Sequence, residues 1–193
     1  KYDIYKQNFE RANQFLNEAG FTKGSDGTRF KLRVSWASGR EAEGRAAEII
    51  KDHLRQVGIE VQVQTFDRPT FIDKVFKQWD FDMATQLFAT GPDPNVGVTS
   101  RFHTKQIRKL PFVNAMGYSN PEVDKLFDTE YTQIDRKKRA EMWDKIQQIL
   151  MNDLPALTLW EVPVVNAVSA KFKDVITGPF GYIQNREDAY MVK

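Results

Sequence analysis

The chain has 193 residues, 41% of them hydrophobic and 12% aromatic, a mixture too apolar for a disordered chain and wrong for collagen or coiled coil. Its 28 Lys and Arg against 26 Asp and Glu leave a net charge of +2, which lacks the basic footprint of a nucleic-acid partner. Cysteine is absent, which removes disulfide scaffolds, thiolate zinc sites and cysteine nucleophiles, and no apolar run approaches the roughly 18 residues of a membrane-spanning helix.

The first residues, Lys1-Tyr2-Asp3, carry no initiator Met, basic n-region or apolar h-region, so they read as part of a longer precursor whose export signal lies upstream. Phe9, Ala12, Phe15, Leu16 and Ala19 recur at helical spacing over 8–19, and Gly20 stands where a helix-ending glycine belongs. Phe30, Leu32, Val34 and Trp36 then alternate with polar residues, a strand with one apolar face. A polar loop from Ala37 to Gly44 leads into a helix to about Val57, striped by Ala46, Ala47, Ile50, Leu54 and Val57 and stopped by Gly58. Ile59, Val61, Val63 and Thr65 alternate as a second strand, completing a βαβ unit whose strands run parallel with a right-handed crossover.

Asp67 or Thr70 starts a short helix carrying Phe71, Ile72, Val75 and Phe76, and residues 81–89 form a third strand. The loop Thr90-Gly91-Pro92-Asp93-Pro94-Asn95 follows, and 96–120 read as irregular. Asn120-Pro121 opens a helix with Val123, Leu126, Phe127 and Tyr131 as its buried stripe. Asp135 caps the next helix, in which Arg139, Met142, Trp143, Ile146, Ile149 and Leu150 fall three or four apart until Pro155 ends it. Ala156 to Trp160 make a further strand, and 163–193 read as a return segment. Helices alternating with strands give an α/β layer architecture.

Signatures of catalysis are missing: there is no dinucleotide fingerprint, P-loop, nucleophile elbow or calcium-binding loop. His53 and His103, the only two histidines, read as solvated. Asp80-Phe81-Asp82 puts two carboxylates on one side of a strand entrance, the pattern by which a metal-dependent glycosyltransferase-like enzyme holds its divalent ion. The same pair also fits a solvated strand entrance, and no phosphate-cradling glycine loop accompanies it. Ligands in open α/β sheets gather at the carboxyl ends of strands. Trp36 and Phe88 end the first and third strands, so they can flank one cleft, with Ser38, Ala89, Thr90, Asp93 and Asn95 beside them. Trp36 equally continues the buried alternation as a core residue.

The order of these residues resembles the C-terminal half of the family 5 extracellular solute-binding proteins, the peptide, oligopeptide and nickel receptors of ABC importers. The matching stretches are Leu16-Asn17-Glu18-Ala19-Gly20-Phe21, then Leu54 to Val61 through Gly58-Ile59, then Phe71 to Val75 followed by Phe81-Asp82-Met83. After them come Asp93-Pro94-Asn95, Gly117 to Asp124, Arg136 to Arg139, and Asp153-Leu154-Pro155-Ala156. The resemblance implies a periplasmic-binding-protein-like lobe, three-layered, with a mixed, mostly parallel sheet flanked by helices. Residues 1–162 would be the second ligand-binding lobe, and 163–193 would return toward the N-terminal lobe of the same precursor.

It further implies a periplasmic or otherwise extracytoplasmic protein with no catalysis and no cofactor. Such a protein closes on a small-molecule or peptide solute by hinge motion and presents it to an ABC permease. A sensor or peptide-chaperone domain reusing the receptor fold is the alternative without a transporter. Peptide-binding members carry an Asp four residues before the Pro of the Asp-Pro motif, and here that position is Thr90. A hydroxyl cannot neutralise a buried ammonium, so the departure points to a less cationic solute, a blocked peptide or a glycoside-like molecule.

Overall fold

The alternation of helix and strand written in the first third of the chain sets up a parallel sheet. The computed structural model describes residues 6–91, 93–163, 165–176, 178 and 187–192; Lys1-Tyr2-Asp3, Pro92 and most of 177–186 lie outside the described residues. The chain divides into two units, Lys1–Phe88 with Ser100–Asp124, and Ala89–Thr99 with Lys125–Lys193.

In the first unit helix α1 spans Phe9–Glu18, capped by the Asn8 side chain, which accepts from the Arg11 N–H. It ends as the glycine predicts: Gly20 has φ +85°, the Phe21 N–H reaches Leu16 O at 2.8 Å and the Gly20 N–H reaches Asn17 O at 3.0 Å. Strand β1 is Phe30–Ala37, helix α2 Glu41–Gln56 and strand β2 Ile59–Phe66, with β1 and β2 parallel in register from Phe30 opposite Ile59 to Ala37 opposite Phe66. Helix α3, Arg68–Ile72, is capped by Asp67 and continues as a π-helical turn over Asp73–Gln78. Strand β3 is only Met83–Ala84, parallel to β1 on its other side, so the order is β2-β1-β3.

Because β1 leads to β2 on one side and β2 leads to β3 on the other, right-handed crossovers put their helices on opposite faces. Val34, Ala47, Val57, Ile59 and Val61 form one buried core, with Phe9, Ala12 and Leu16 of α1 packed against it. Ala37, Phe71, Val75 and Phe76 form the other. Burying a side chain of this size is worth about 1.5–3 kcal/mol. Arg29 ties α1 to the end of α2: it donates to Val57 O at 2.8 Å, to the side chains of Asn17 and Asn13 at 2.7 and 2.8 Å, and to Phe21 O. The three described strands of this sheet are all parallel.

The α2 boundary differs from expectation. The helix starts at Glu41, and Gly44 lies inside it because the Trp36 indole occupies the space of a side chain: a Cβ there would stand 2.7 Å from the ring. A polar run of Gly, Glu and Arg reads as loop, yet close approach of helix to strand decides the conformation. The third strand is also shorter than expected: β1 is eight residues long, but only its Val34 and Ser35 pair with β3.

Helix α4, Asn95–Phe102, replaces part of the stretch read as irregular, with non-helical backbone at Val96 and Gly97. Helix α5 is Pro121–Glu130 and helix α6 Arg136–Asp153, whose cap Asp135 accepts from the N–H groups of Lys137 and Lys138. Leu154 takes a left-handed conformation, φ 48°, just before Pro155. In the second unit the rings of Phe127 and Trp143 meet edge to face at 5.7 Å, and Ile146 is fully buried. Residues 156–160 are irregular and exposed, not a strand: their alternation fits a ladder, but no described strand pairs with them. Strands β4, Phe172–Lys173, and β5, Tyr190–Met191, pair antiparallel instead. Among the described residues no helix is long and apolar enough to cross a membrane.

Candidate functional site

The strand order suggests where a ligand site belongs. β2 lies on one side of β1 and β3 on the other, so the carboxyl ends of β1 and β3 are the topological switch point, where open α/β sheets gather ligands. After β1, the Ser38 N–H bonds Phe66 O at 2.8 Å, leaving the Ser38 side chain exposed at the strand end. After β3, the Thr85 N–H bonds Ser35 O at 3.0 Å.

Glu43 joins the two loops. It is 5% exposed, and its Oε1 accepts the Leu87 N–H at 3.1 Å while standing 3.8 Å from the Arg40 guanidinium. Burial pushes its carboxyl above the usual range, and Arg40 and the Leu87 N–H pull it back. Glu43 thus pins the backbone just past β3 to the first turn of α2. The sequence carried a signal for it. Extending the α2 stripe Ala47, Ile50, Leu54 and Val57 one step back lands on Glu43, a charge at a core position.

Trp36 and Phe88 do not share a wall. Trp36 packs into the core shared with α1 and α2, against Gly44. Phe88 packs into the core of Ala37, Phe71 and Phe76, with the Arg101 guanidinium 4.5 Å from its ring centre. Trp36 and Ala37 are neighbours on a strand, so they point to opposite faces, and the two aromatics follow them.

Ala89 and Thr90, in the second unit, are exposed. Asp93 and Asn95, in the same unit, are structural anchors. Both oxygens of Asp93 receive Arg139, at 2.7 Å from Nη1 and 2.7 Å from Nη2, and the Asn95 N–H donates to Asp93 at 2.9 Å. The guanidinium lowers the Asp93 carboxyl to about 2. Arg139 Nε also meets the fully buried Glu130 at 2.8 Å; the Trp143 indole N–H donates to Glu130 at 3.0 Å, and Asn95 bonds its other oxygen. Glu130 takes the buried position expected of Tyr131, which is 77% exposed: Val123, Phe127 and Glu130 lie at i, i+4 and i+7 on one face.

The acidic pair is likewise occupied. Arg33 donates to Asp80 at 2.6 Å and to Asp82 at 3.1 Å, and Lys74 reaches Asp80 at 2.7 Å. These cations hold the Asp80 carboxyl down at about 2 and Asp82 below its ordinary value. A divalent ion would have to displace both, so the pair braces β3 against β1, and the metal-dependent enzyme reading loses its site. Among the described residues no group of three His, Cys, Asp or Glu could hold a metal ion. His53 is exposed as read, but His103 is 4% exposed, its Nδ1 3.1 Å from the Lys105 N–H and 3.1 Å from Asp124.

Residues 1–109 match the model of the bacterial extracellular solute-binding proteins, family 5, middle region. The chain belongs to this family. It is 27% identical over 164 residues to the oligopeptide-binding protein AppA of Bacillus subtilis, covering 81% of this chain and 30% of that protein. It is 24% identical over 178 residues to the nickel-binding protein NikA of Staphylococcus aureus, covering 92% of this chain and 35% of that one. The solved oligopeptide-binding protein of Thermus thermophilus with a bound pentapeptide superposes with a TM-score of 0.73 at 19% identity, over 93% of this chain and 34% of that one. The chain thus spans about a third of the length of the relatives it matches. The fold is that of periplasmic binding proteins, an α/β architecture with a parallel sheet between helices. Members of the family bind solutes rather than transform them.

Proposed function

We propose that this chain is most of one lobe of an ABC importer's solute receptor, acting outside the cytoplasmic membrane and delivering its solute unchanged to a permease. In this reading residues 1–162 form the ligand-binding lobe and 163–193 return toward the N-terminal lobe of the same precursor. The observation that carries it is the switch point at the carboxyl ends of β1 and β3, braced by buried Glu43, in a chain of family 5. Ser38, exposed at the end of β1, is the ligand-facing candidate of the first unit, and the exposed Ala89 and Thr90 are those of the second.

The solute has no free ammonium seated on this chain. Thr90 supplies a hydroxyl where peptide-binding members carry a carboxylate, and Asp93, the nearest acid in sequence, has both oxygens committed to Arg139. A blocked peptide or an uncharged, glycoside-like molecule suits these groups better than a free peptide, although AppA is an oligopeptide-binding relative. The test is calorimetry on the intact receptor with one oligopeptide in free and N-acetylated forms. The acetylated form should bind at least as tightly, and Thr90→Asp should shift the preference toward the free amine by about tenfold or more. Strong wild-type preference for the free amine would sink this assignment.

A further inference from the structure

Residues 108–112 read Arg-Lys-Leu-Pro-Phe, and all five are exposed, Leu110 to 47% and Phe112 to 38%. Trp79, at the end of the π-helical turn and therefore toward the amino end of β3, is 38% exposed beside them. The two segments touch: Lys109 Nζ lies 5.4 Å from the Trp79 ring centre, and the Phe112 ring lies 5.2 Å from that of buried Phe76. Both exposed aromatics stand in left-handed backbone, φ 60° at Trp79 and 63° at Phe112, a conformation costly for a bulky side chain. The tip is cationic as well as apolar. From Arg101 to Asn120 the sequence holds four Lys or Arg and no Asp or Glu. Among the described residues Lys109 has no acidic partner, and Arg108 reaches only the Gln106 side chain.

We propose that this tip docks peripherally on an anionic lipid bilayer, with Trp79, Leu110 and Phe112 in the interfacial layer and Arg108 and Lys109 on the headgroups. A partly exposed Trp with a lysine over its ring, and leucine and phenylalanine next to cations without an acidic partner, match a surface that is anionic outside and apolar just beneath. An acidic protein surface would satisfy the two cations and leave the apolar side chains in water. None of these residues is among the ligand-facing candidates, so the proposal holds whatever the solute is.

The test is co-sedimentation of the protein with vesicles of phosphatidylcholine alone and of an equal mixture with phosphatidylglycerol. Binding should favour the mixed vesicles, weaken as salt is raised, fall about tenfold or more in the Arg108→Glu, Lys109→Glu double variant, and fall also in Leu110→Ser. The substituted positions are exposed, so unchanged thermal unfolding would show that the fold is kept; the lipid and salt dependence of the unaltered protein tests the proposal without any variant. Equal partition into both vesicles, or none into either, overturns it. Loss on charge reversal with no effect of Leu110→Ser also overturns it, because the apolar side chains then take no part in the docking.

Discussion

The two units of the chain hold themselves together by different means. The first stacks apolar side chains on both faces of a parallel sheet, with Val34, Phe71 and Ala47 buried and charged residues mostly at the rim. The second builds its centre around a carboxylate. Glu130 is fully buried, and Arg139, Trp143 and Asn95 converge on it while Arg139 also grips Asp93. Apolar packing is non-directional and tolerates small losses, whereas a buried ionic network fixes one geometry and fails when one member is removed. The second unit therefore gains a defined turn at Asp93 at the expense of robustness.

Three experiments sharpen or break that contrast. The largest effect is expected from Arg139→Ala, which strands Glu130 as an unpaired buried charge and should cost about 3 kcal/mol in chemical denaturation. Trp143 and Trp160 report on the second unit, Trp36 and Trp79 on the first. A loss confined to the second pair supports two separately stabilised regions; an equal loss in both merges them. Next is Gly44→Ala in the first unit, where the new Cβ meets the Trp36 ring at 2.7 Å and overpacking should cost about 1–3 kcal/mol. A neutral result would mean that the ring has room to move.

The smallest effect is an acid one. The Asp93 carboxyl is lowered from 3.8 to about 2 by Arg139, and Asp80 is lowered likewise by Lys74 and Arg33. A depressed folded-state value means that each group stabilises its unit fully above pH 3.8, and that this contribution fades as pH falls toward 2. Acid titration should show a shallow loss of stability in that window, reduced in Asp93→Asn for the second unit and in Asp80→Asn for the first. Both pairs are open to solvent, so an unchanged curve in one variant would show that screening cancels that pair.

The ordering of helix α1, strands β1 and β2, and the caps at Asp67, Asn120 and Asp135 was legible because each depends on neighbours in sequence: alternation, helical stripes, a capping oxygen three residues from its amide. The family likeness was legible in the same way, as ordered short motifs. What stayed hidden was set by residues distant in the chain. Gly44 sits within α2 because of Trp36, Arg33 claims Asp80 and Asp82 across 47 and 49 positions, and Leu87 finds Glu43 across 44. The separation of Trp36 and Phe88 into two cores followed from the face each strand presents once the crossovers are in place.

Local pattern thus decided helices α1, α5 and α6 and strands β1 and β2, because backbone preference and periodicity act over a few residues. Tertiary structure decided which charges are spent as braces and which groups remain near the switch point, because an ion pair or a packed ring depends on distance in space. Thr90 and Asp93 make the point together: the sequence places both in one turn, and only the fold commits Asp93 to Arg139.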